Sequence, residues 1–310
     1  MNSFSLRSIA HSLGLEVHMI EGRMQIRELR PVDRRPLWAQ RLSSRSSFCR
    51  AVVQSGLLTH RQMVRAALRY RLGRSKDDAV IYWQIDQRGR VHDGKLMWYG
   101  PDCHRLKHRN ATWVVWLLKR HYGVEENVCR PVHVFFGLHL LANTDHTNNT
   151  DYLMSRRTEG AASVIQARLR MTESRLRKTK SNRRERRNNF QFSILNFQFP
   201  TVCIVEAEKS AVILSELYPQ YIWLAAGGMN ELQPYKFQPL KHYKVILFPD
   251  TDPHLTAYTN WYNAAQQVMR SFFWPRDNPI YVSDFLERCA SAEQKARKID
   301  LVDFLAELGQ

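Results

Sequence analysis

This 310-residue chain is short of acid relative to base. Its 29 Asp and Glu stand against 46 Lys and Arg, a formal net charge of +17. That imbalance points to a polyanionic partner, nucleic acid before any other. Cysteine is sparse and scattered. Cys49, Cys103, Cys129, Cys203 and Cys289 make no C-x-x-C pair, which argues against a zinc ribbon and against a disulfide framework. Cys103 and His104 adjoin, with His108 nearby, but no second cysteine completes a metal set. Long apolar runs are also missing: none approaches the eighteen residues of a membrane span. The first fourteen residues carry Arg7 with Ser, His and Gly rather than an apolar leader core, so a cytoplasmic protein with no membrane partner is expected. The apolar fraction, 44%, is ordinary for globular protein and excludes wholesale disorder. The length allows two modest domains, each with its own core.

Four zones are legible. Residues 1–40 hold a short amphipathic stretch (Leu6, Ile9, Ala10, Leu13) closing at Gly14, then an Arg-rich connector. Residues 41–143 read as a smaller basic α+β domain. Within it Ser47 to Tyr70 is expected to be helical, because Val52, Val53, Leu57, Met63, Val64 and Leu68 recur on a period near 3.6. "AVIYWQIDQRGRVHDGKLMWY" reads as a hairpin turning at Gln87–Arg88–Gly89, and "ATWVVWLLKRHYG" as a helix stopping at Gly123. Residues 144–200 differ in kind. From Arg156 to Arg187 twelve Lys/Arg meet three acids, about half of the whole excess, beside a repeated Asn-Phe-Gln-Phe. This is a basic insertion or linker; a solvated arm and an arm that tracks nucleic acid through residues such as Arg183 and Arg184 stay open as alternatives. Residues 201–310 alternate strands (Thr201–Val205, Tyr221–Ala226, Lys244–Phe248, Ile280–Val282) with helices (Lys209–Leu217, Thr259–Phe273, Glu293–Leu308). Repeated β-α-β crossings require a parallel sheet flanked by helices.

The chemistry concentrates in that last zone. Ligands of open α/β sheets sit beyond the C-terminal strand ends, and two ends here are acidic. "CIVEAEKSA" delivers Glu206 and Glu208; "VILFPDTD" delivers Asp250 and Asp252. Four carboxylates at buried strand ends call for a cation, since unpaired buried charge is costly. Oxygen ligands without His or Cys suit Mg2+ (or Mn2+). Side chains two apart in extended backbone share a face, so Asp250 and Asp252 are expected to reach one ion together. Lys209 follows directly and reads as a solvated lysine. In the middle zone "GPDCHRLKHRN" groups Arg105, Lys107, His108 and Arg109; Tyr82, Trp83, Trp98 and Tyr99 offer rings that could stack bases, although aromatic pairs in a hairpin are more often half core and half surface.

A glutamate ending the first strand, "LAAGGMNEL" with Gly227–Gly228, and a D-x-D ending the third strand together resemble the Toprim domain of bacterial primases, topoisomerases and some nucleases. Ala207 stands where Gly is usual, and Ser210 replaces a common acid. A wider set, "VIYWQIDQRGRVHDGKLMWY", "TWVVWLLK", "FFGLHLL", "IVEAEKSA", "IWLAAGGMNEL" and "VILFPDTD", is similar to an uncharacterised family of Toprim-bearing, primase-like proteins of bacterial mobile elements. "KIDLVDFLAEL" resembles the tail of phage primase-type Toprim proteins. The resemblance implies a C-terminal Toprim domain, Rossmann-like, over 201–310. It implies Glu206 as general acid/base, Asp250 and Asp252 as Mg2+ ligands, and Glu208 assisting. Arg105, Lys107 and Arg109 would hold nucleic acid. The activity it implies is primase-like nucleotidyl transfer on single-stranded DNA, in replication of a mobile element, with nucleoside triphosphates as substrates and a replicative helicase as a possible partner. The alternatives are a Toprim nuclease or nicking enzyme, and a nucleic-acid-binding Toprim protein that does not turn over.

Overall fold

The computed structural model describes residues 15–20, 23–28, 43–122, 132–143 and 200–308. Strands β1 (Leu15–Ile20) and β2 (Arg23–Glu28) form an antiparallel hairpin in which Ile20 pairs with Arg23. This stretch was expected to be an Arg-rich connector. The preceding amphipathic stretch lies outside the described residues, as do Arg183, Arg184 and the rest of the basic segment.

Between Ser47 and Tyr70 one long helix was expected; there are two, α1 (Ser47–Gln54) and α2 (His60–Arg69). Gly56 ends the first with φ of 73°, a conformation that favours glycine. Thr59 and Gln62 start the second with a reciprocal capping box. Of the six residues on the expected period, Val52 and Met63 are buried, whereas Leu68 is exposed.

An antiparallel sheet follows in the order β3 (Gly73–Arg74), β4 (Val80–Ile85), β5 (Val91–Met97) and β6 (Thr112–Trp113), the last leading into α3 (Val114–Tyr122). Every residue of β4 is buried. Tyr82, Trp83 and Tyr99 are therefore core residues, more deeply buried than the half-core, half-surface division expected and closed to base stacking; of the four rings Trp98 alone is partly exposed. Gly94 in β5 lies under Trp83, whose ring carbons would come within 2.7 Å of a Cβ there. A 3-10 turn at Leu138–Asn143 closes this part.

The second sheet holds β7 (Thr201–Val205), β8 (Ile222–Ala225), β9 (Lys244–Phe248) and β10 (Tyr281–Val282) in the order β10-β9-β7-β8, all parallel. Helix α4 (Glu208–Leu217) and helix α5 (Thr256–Met269) make the crossings. Side chains alternate with the two-residue period of a strand. Cys203, Val205, Trp223, Ala225, Ile246 and Phe248 face α4, whereas Val202, Ile204, Leu224, Val245 and Leu247 face α5 and the 3-10 turn at Pro234–Leu240. After a short helix α6 (Phe285–Cys289), where a single helix was expected over Glu293–Leu308, the chain forms two, α7 (Ala292–Ala296) and α8 (Leu301–Leu308). The interruption sits at Lys298, φ 56°, followed by Asp300. The Asp300 carboxylate accepts from the Asp303 backbone N–H at 2.8 Å, and Asp303 returns the bond at 3.4 Å. A cap of this kind starts a helix and so cannot lie inside one.

The two sheets share one core. Phe48, Val52, Met63, Tyr70 and Tyr82 belong to the same cluster as Cys203, Leu214, Trp223 and Phe304. Helix α2 lies along α4. Arg65 and Arg69 reach the buried Glu216 at 2.7 and 2.9 Å, and the Tyr70 hydroxyl donates to the Trp223 carbonyl at 2.7 Å. Among the described residues, no helix is long and apolar enough to cross a membrane.

Removing the Tyr70 hydroxyl (Tyr70→Phe) leaves the Trp223 carbonyl short of its donor in a dry interior. The expected loss is about 1–2 kcal/mol, read as a lower urea midpoint with an unchanged slope. A changed slope would mean that the two sheets unfold separately.

Candidate active site

In the strand order β10-β9-β7-β8 the crossover after β7 runs outward to β8 and the one after β9 runs outward the other way to β10, which makes the crevice between β7 and β9 a topological switch point. Glu206 follows the end of β7, and Asp250 stands two residues beyond β9. The parallel register pairs Val205 with Phe248, so both carboxylates leave the same edge of the sheet from neighbouring strands. Burial, then the charges of Asp300 and Glu206, push the Asp250 carboxyl well above the ordinary aspartate range. Glu206 is also raised, chiefly by burial. Lys95 and a backbone N–H from Met229 hold it down, while Asp300 and Glu208 push it up. That N–H arrives through the glycine turn after β8. Gly227 has φ of 94° and donates to the Glu206 carbonyl at 2.9 Å, and the Trp261 indole holds the Met229 carbonyl at 3.1 Å.

The other acids of the two motifs are differently engaged. Glu208, first residue of α4, is buried, and both its oxygens meet the Lys95 ammonium, at 3.0 and 3.2 Å. Lys95 also donates to the Gly227 carbonyl at 2.8 Å. It comes from β5, so the antiparallel sheet supplies a cation to the end of the parallel one. Asp252 is buried at the start of α5. Its Oδ1 accepts from the His254 N–H at 2.9 Å and its Oδ2 from the Ala257 N–H at 2.8 Å. Burial alone would raise this carboxyl, but those backbone donors outweigh it and the group is held below its ordinary range. Asp250 and Asp252 are close in sequence yet answer to different neighbours.

Lys209 is not the solvated lysine expected. It is largely buried, with Nζ 3.1 Å from Asp303 Oδ1 and 3.4 Å from Asp300 Oδ2. Burial alone would lower its pKa, but the two carboxylates outweigh that and keep the ammonium charged. Ser210 donates to Asp300 at 2.7 Å. The loop after β9 is stitched to this segment. The Thr251 N–H bonds the Ile299 carbonyl at 3.2 Å and the Thr251 hydroxyl bonds Glu287 at 2.8 Å, which brings Asp250 into the field of Asp300 and Asp303.

Neither Lys95 nor the pair Asp300 and Asp303 was marked as a site residue from the sequence. The capping pattern D-x-x-D ahead of an apolar helix was the available signal for the aspartates. Lys95 carried none, being one alternating residue of a strand. Arg105, Lys107 and Arg109 are exposed on the loop after β5. Arg109 lies over the Trp98 ring at 5.1 Å and 3.5 Å from Asp77. Cys103 in that loop is buried, and its thiol, pushed up to about 12 chiefly by burial, also feels Lys209, Asp303 and Asp300. The basic loop thus lies beside the acidic cluster.

One family model, described as "Domain of unknown function (DUF6371)", matches residues 46–167 and 172–251. The chain belongs to that family. No curated protein and no solved structure matches it. The DUF6371 match takes in both sheets as far as Thr251, hence Lys95, Glu206, Glu208 and Asp250; Asp252, Asp300 and Asp303 lie past its end.

The raised Asp250 has a consequence for stability. Its unfolded-state pKa is about 3.9 and its folded one is higher, so the folded protein keeps a proton that the unfolded chain releases. Stability therefore falls as pH climbs from about 4 toward the folded pKa. In chelator at pH 7, Asp250→Asn should melt above the wild type, by roughly 2–4 °C for each kcal/mol of repulsion relieved. The advantage should vanish near pH 4. An equal difference at both pH values would show that charge at Asp250 is not its source.

Proposed function

We propose that this DUF6371 protein is a Mg2+-dependent enzyme of nucleic-acid phosphoryl transfer, with a Toprim-type site, and that its reaction is primase-like nucleotidyl transfer on single-stranded DNA. One observation carries the reading: Glu206 and Asp250, acids that no ammonium of the described residues reaches at ion-pair distance, leave the same edge of a parallel sheet at its switch point. Among the described residues no three His, Cys, Asp or Glu side chains form a ready-made metal cage. Mg2+ does not require one. It commonly takes one or two carboxylates and completes its shell with water and substrate phosphates, and the all-oxygen donor set fits. Asp250 would hold the ion with Glu206 beside it, while Asp252 and Glu208 keep Asp250's loop and Lys95 in place.

A bound ion there would offset charge on the phosphate oxygens. Glu206, its carboxyl raised chiefly by burial, would take the proton of an attacking 3′-hydroxyl. Its oxygen bonds the α-phosphorus as the bond to pyrophosphate breaks. Arg105, Lys107 and Arg109 give the strand a cationic rail next to the site, in keeping with the excess of positive charge over the whole chain.

The test is extension of a single-stranded template with labelled nucleoside triphosphates and Mg2+ or Mn2+. Glu206→Gln keeps the side chain's size but cannot accept a proton at neutral pH. It should bind DNA nearly as the wild type does and lose turnover by about 10²–10⁴. Cleavage of DNA without nucleotides would replace primase by nuclease. Binding with no turnover of either kind would make the protein a binder.

A further inference from the structure

Two cations already stand in the acidic cluster, and they are covalently part of the chain. Glu206, Glu208, Asp250, Asp300 and Asp303 share one electrostatic field, and Lys95 and Lys209 are the ammonium groups within it. The acids divide cleanly. Glu208 gives both oxygens to Lys95. Asp300 and Asp303 sit on either side of Lys209 Nζ, and each is fixed further: Asp300 by the Ser210 hydroxyl and the Asp303 N–H, Asp303 by the Asp300 N–H. Two carboxylates braced by backbone and gripping one compact charge are a cation site whose cation is a side chain. Lys209 keeps its proton there because the aspartates outweigh the burial that would remove it. Its charge also lowers the Asp250 carboxyl, against the upward push of burial and of Asp300, Glu206 and Asp303.

We infer that the Lys209 ammonium is a built-in replacement for a second divalent ion, so that the cluster takes a single exchangeable metal, at Glu206 and Asp250. This rests on the metal reading of the site proposed above. Two-ion sites of phosphoryl transfer use two positions to steady attacking and leaving oxygens; here one position is filled permanently. Such a site senses divalent concentration at one place only, because its other cation cannot dissociate.

The experiment counts Mn2+ bound to the full chain, by electron paramagnetic resonance of the free ion and by calorimetry. The wild type should bind one. Lys209→Met opens the Asp300–Asp303 pair and should bind one more, and that extra ion should raise its melting temperature. Lys209→Arg keeps a cation in place and should count as the wild type. Lys209→Met with Asp303→Asn should lose the extra ion, since a single carboxylate remains. A folded Lys209→Met that binds no more Mn2+ than the wild type overturns the inference, and so does a wild type that binds two. If Lys209→Met is unfolded in chelator, refolding on addition of Mn2+ supports the inference. Failure to refold where Lys209→Arg is folded overturns it. A wild type that binds none, with one ion gained in Lys209→Met, removes the metal from the proposed function yet leaves the cation position at Asp300 and Asp303 established.

Discussion

Like charges crowded at the end of a sheet repel, and burial strengthens the repulsion because little water remains to screen it. That constraint governs the parallel sheet and the helices around it. Five carboxylates are gathered around the crevice between β7 and β9, and the arrangement stands because lysines from two other places are drawn into it. Lys95 arrives from a different sheet and Lys209 from the first turn of α4. The last helix begins where it does because Asp300 must both cap it and grip Lys209. Pairing is incomplete at Glu206 and Asp250, whose carboxyls are pushed upward chiefly by burial and then by the neighbouring carboxylates. Residual frustration of this kind, confined to one edge of an otherwise well-packed sheet, is the usual mark of a site kept for chemistry.

The same constraint explains why the antiparallel sheet is fastened so firmly to the parallel one. Lys95 can answer Glu208 only if β5 is held at a fixed distance from α4. The fastening is a shared apolar core, the ion pairs of Arg65 and Arg69 with Glu216, and the Tyr70 hydroxyl on the Trp223 carbonyl. Glu216 is buried, and a buried carboxylate left without its guanidinium partners is strongly unfavourable, so the interface has little freedom to slide. Gly94, under the ring of Trp83, lets β5 lie close to its own core while the next residue points toward the site. Stability and site geometry are thus carried by the same contacts.

Much of the fold was legible in the residues. The four parallel strands and the crossing helices of 201–282 follow from short β-branched runs alternating with helical periods, and the observed bounds differ by a few residues at most. The acidic strand ends pointed to Glu206 and Asp250 through a rule of topology, that open sheets work at their C-terminal edges. Periodicity misled where a cap or a left-handed residue intervened, at Gly56 and at Lys298. There the apolar pattern continues across a break that local backbone chemistry imposes. It also misled at Tyr82 and Trp83, since alternation cannot tell a half-covered strand from one buried on both faces.

What the sequence determined by itself is the composition of the site: acids at two strand ends, a glycine turn between them, and an excess of positive charge elsewhere. Which acids are left unpaired was decided only by tertiary structure. Asp252 is indistinguishable from Asp250 along the chain, yet the N-terminus of α5 takes both its oxygens. Glu208 lies 113 residues from Lys95 and Lys209 lies 94 from Asp303. Spacing sets local neighbours, whereas the charge state of a buried carboxylate depends on whichever ammonium or N–H the fold carries within a few ångströms of it. That distance exists only after the two sheets have packed.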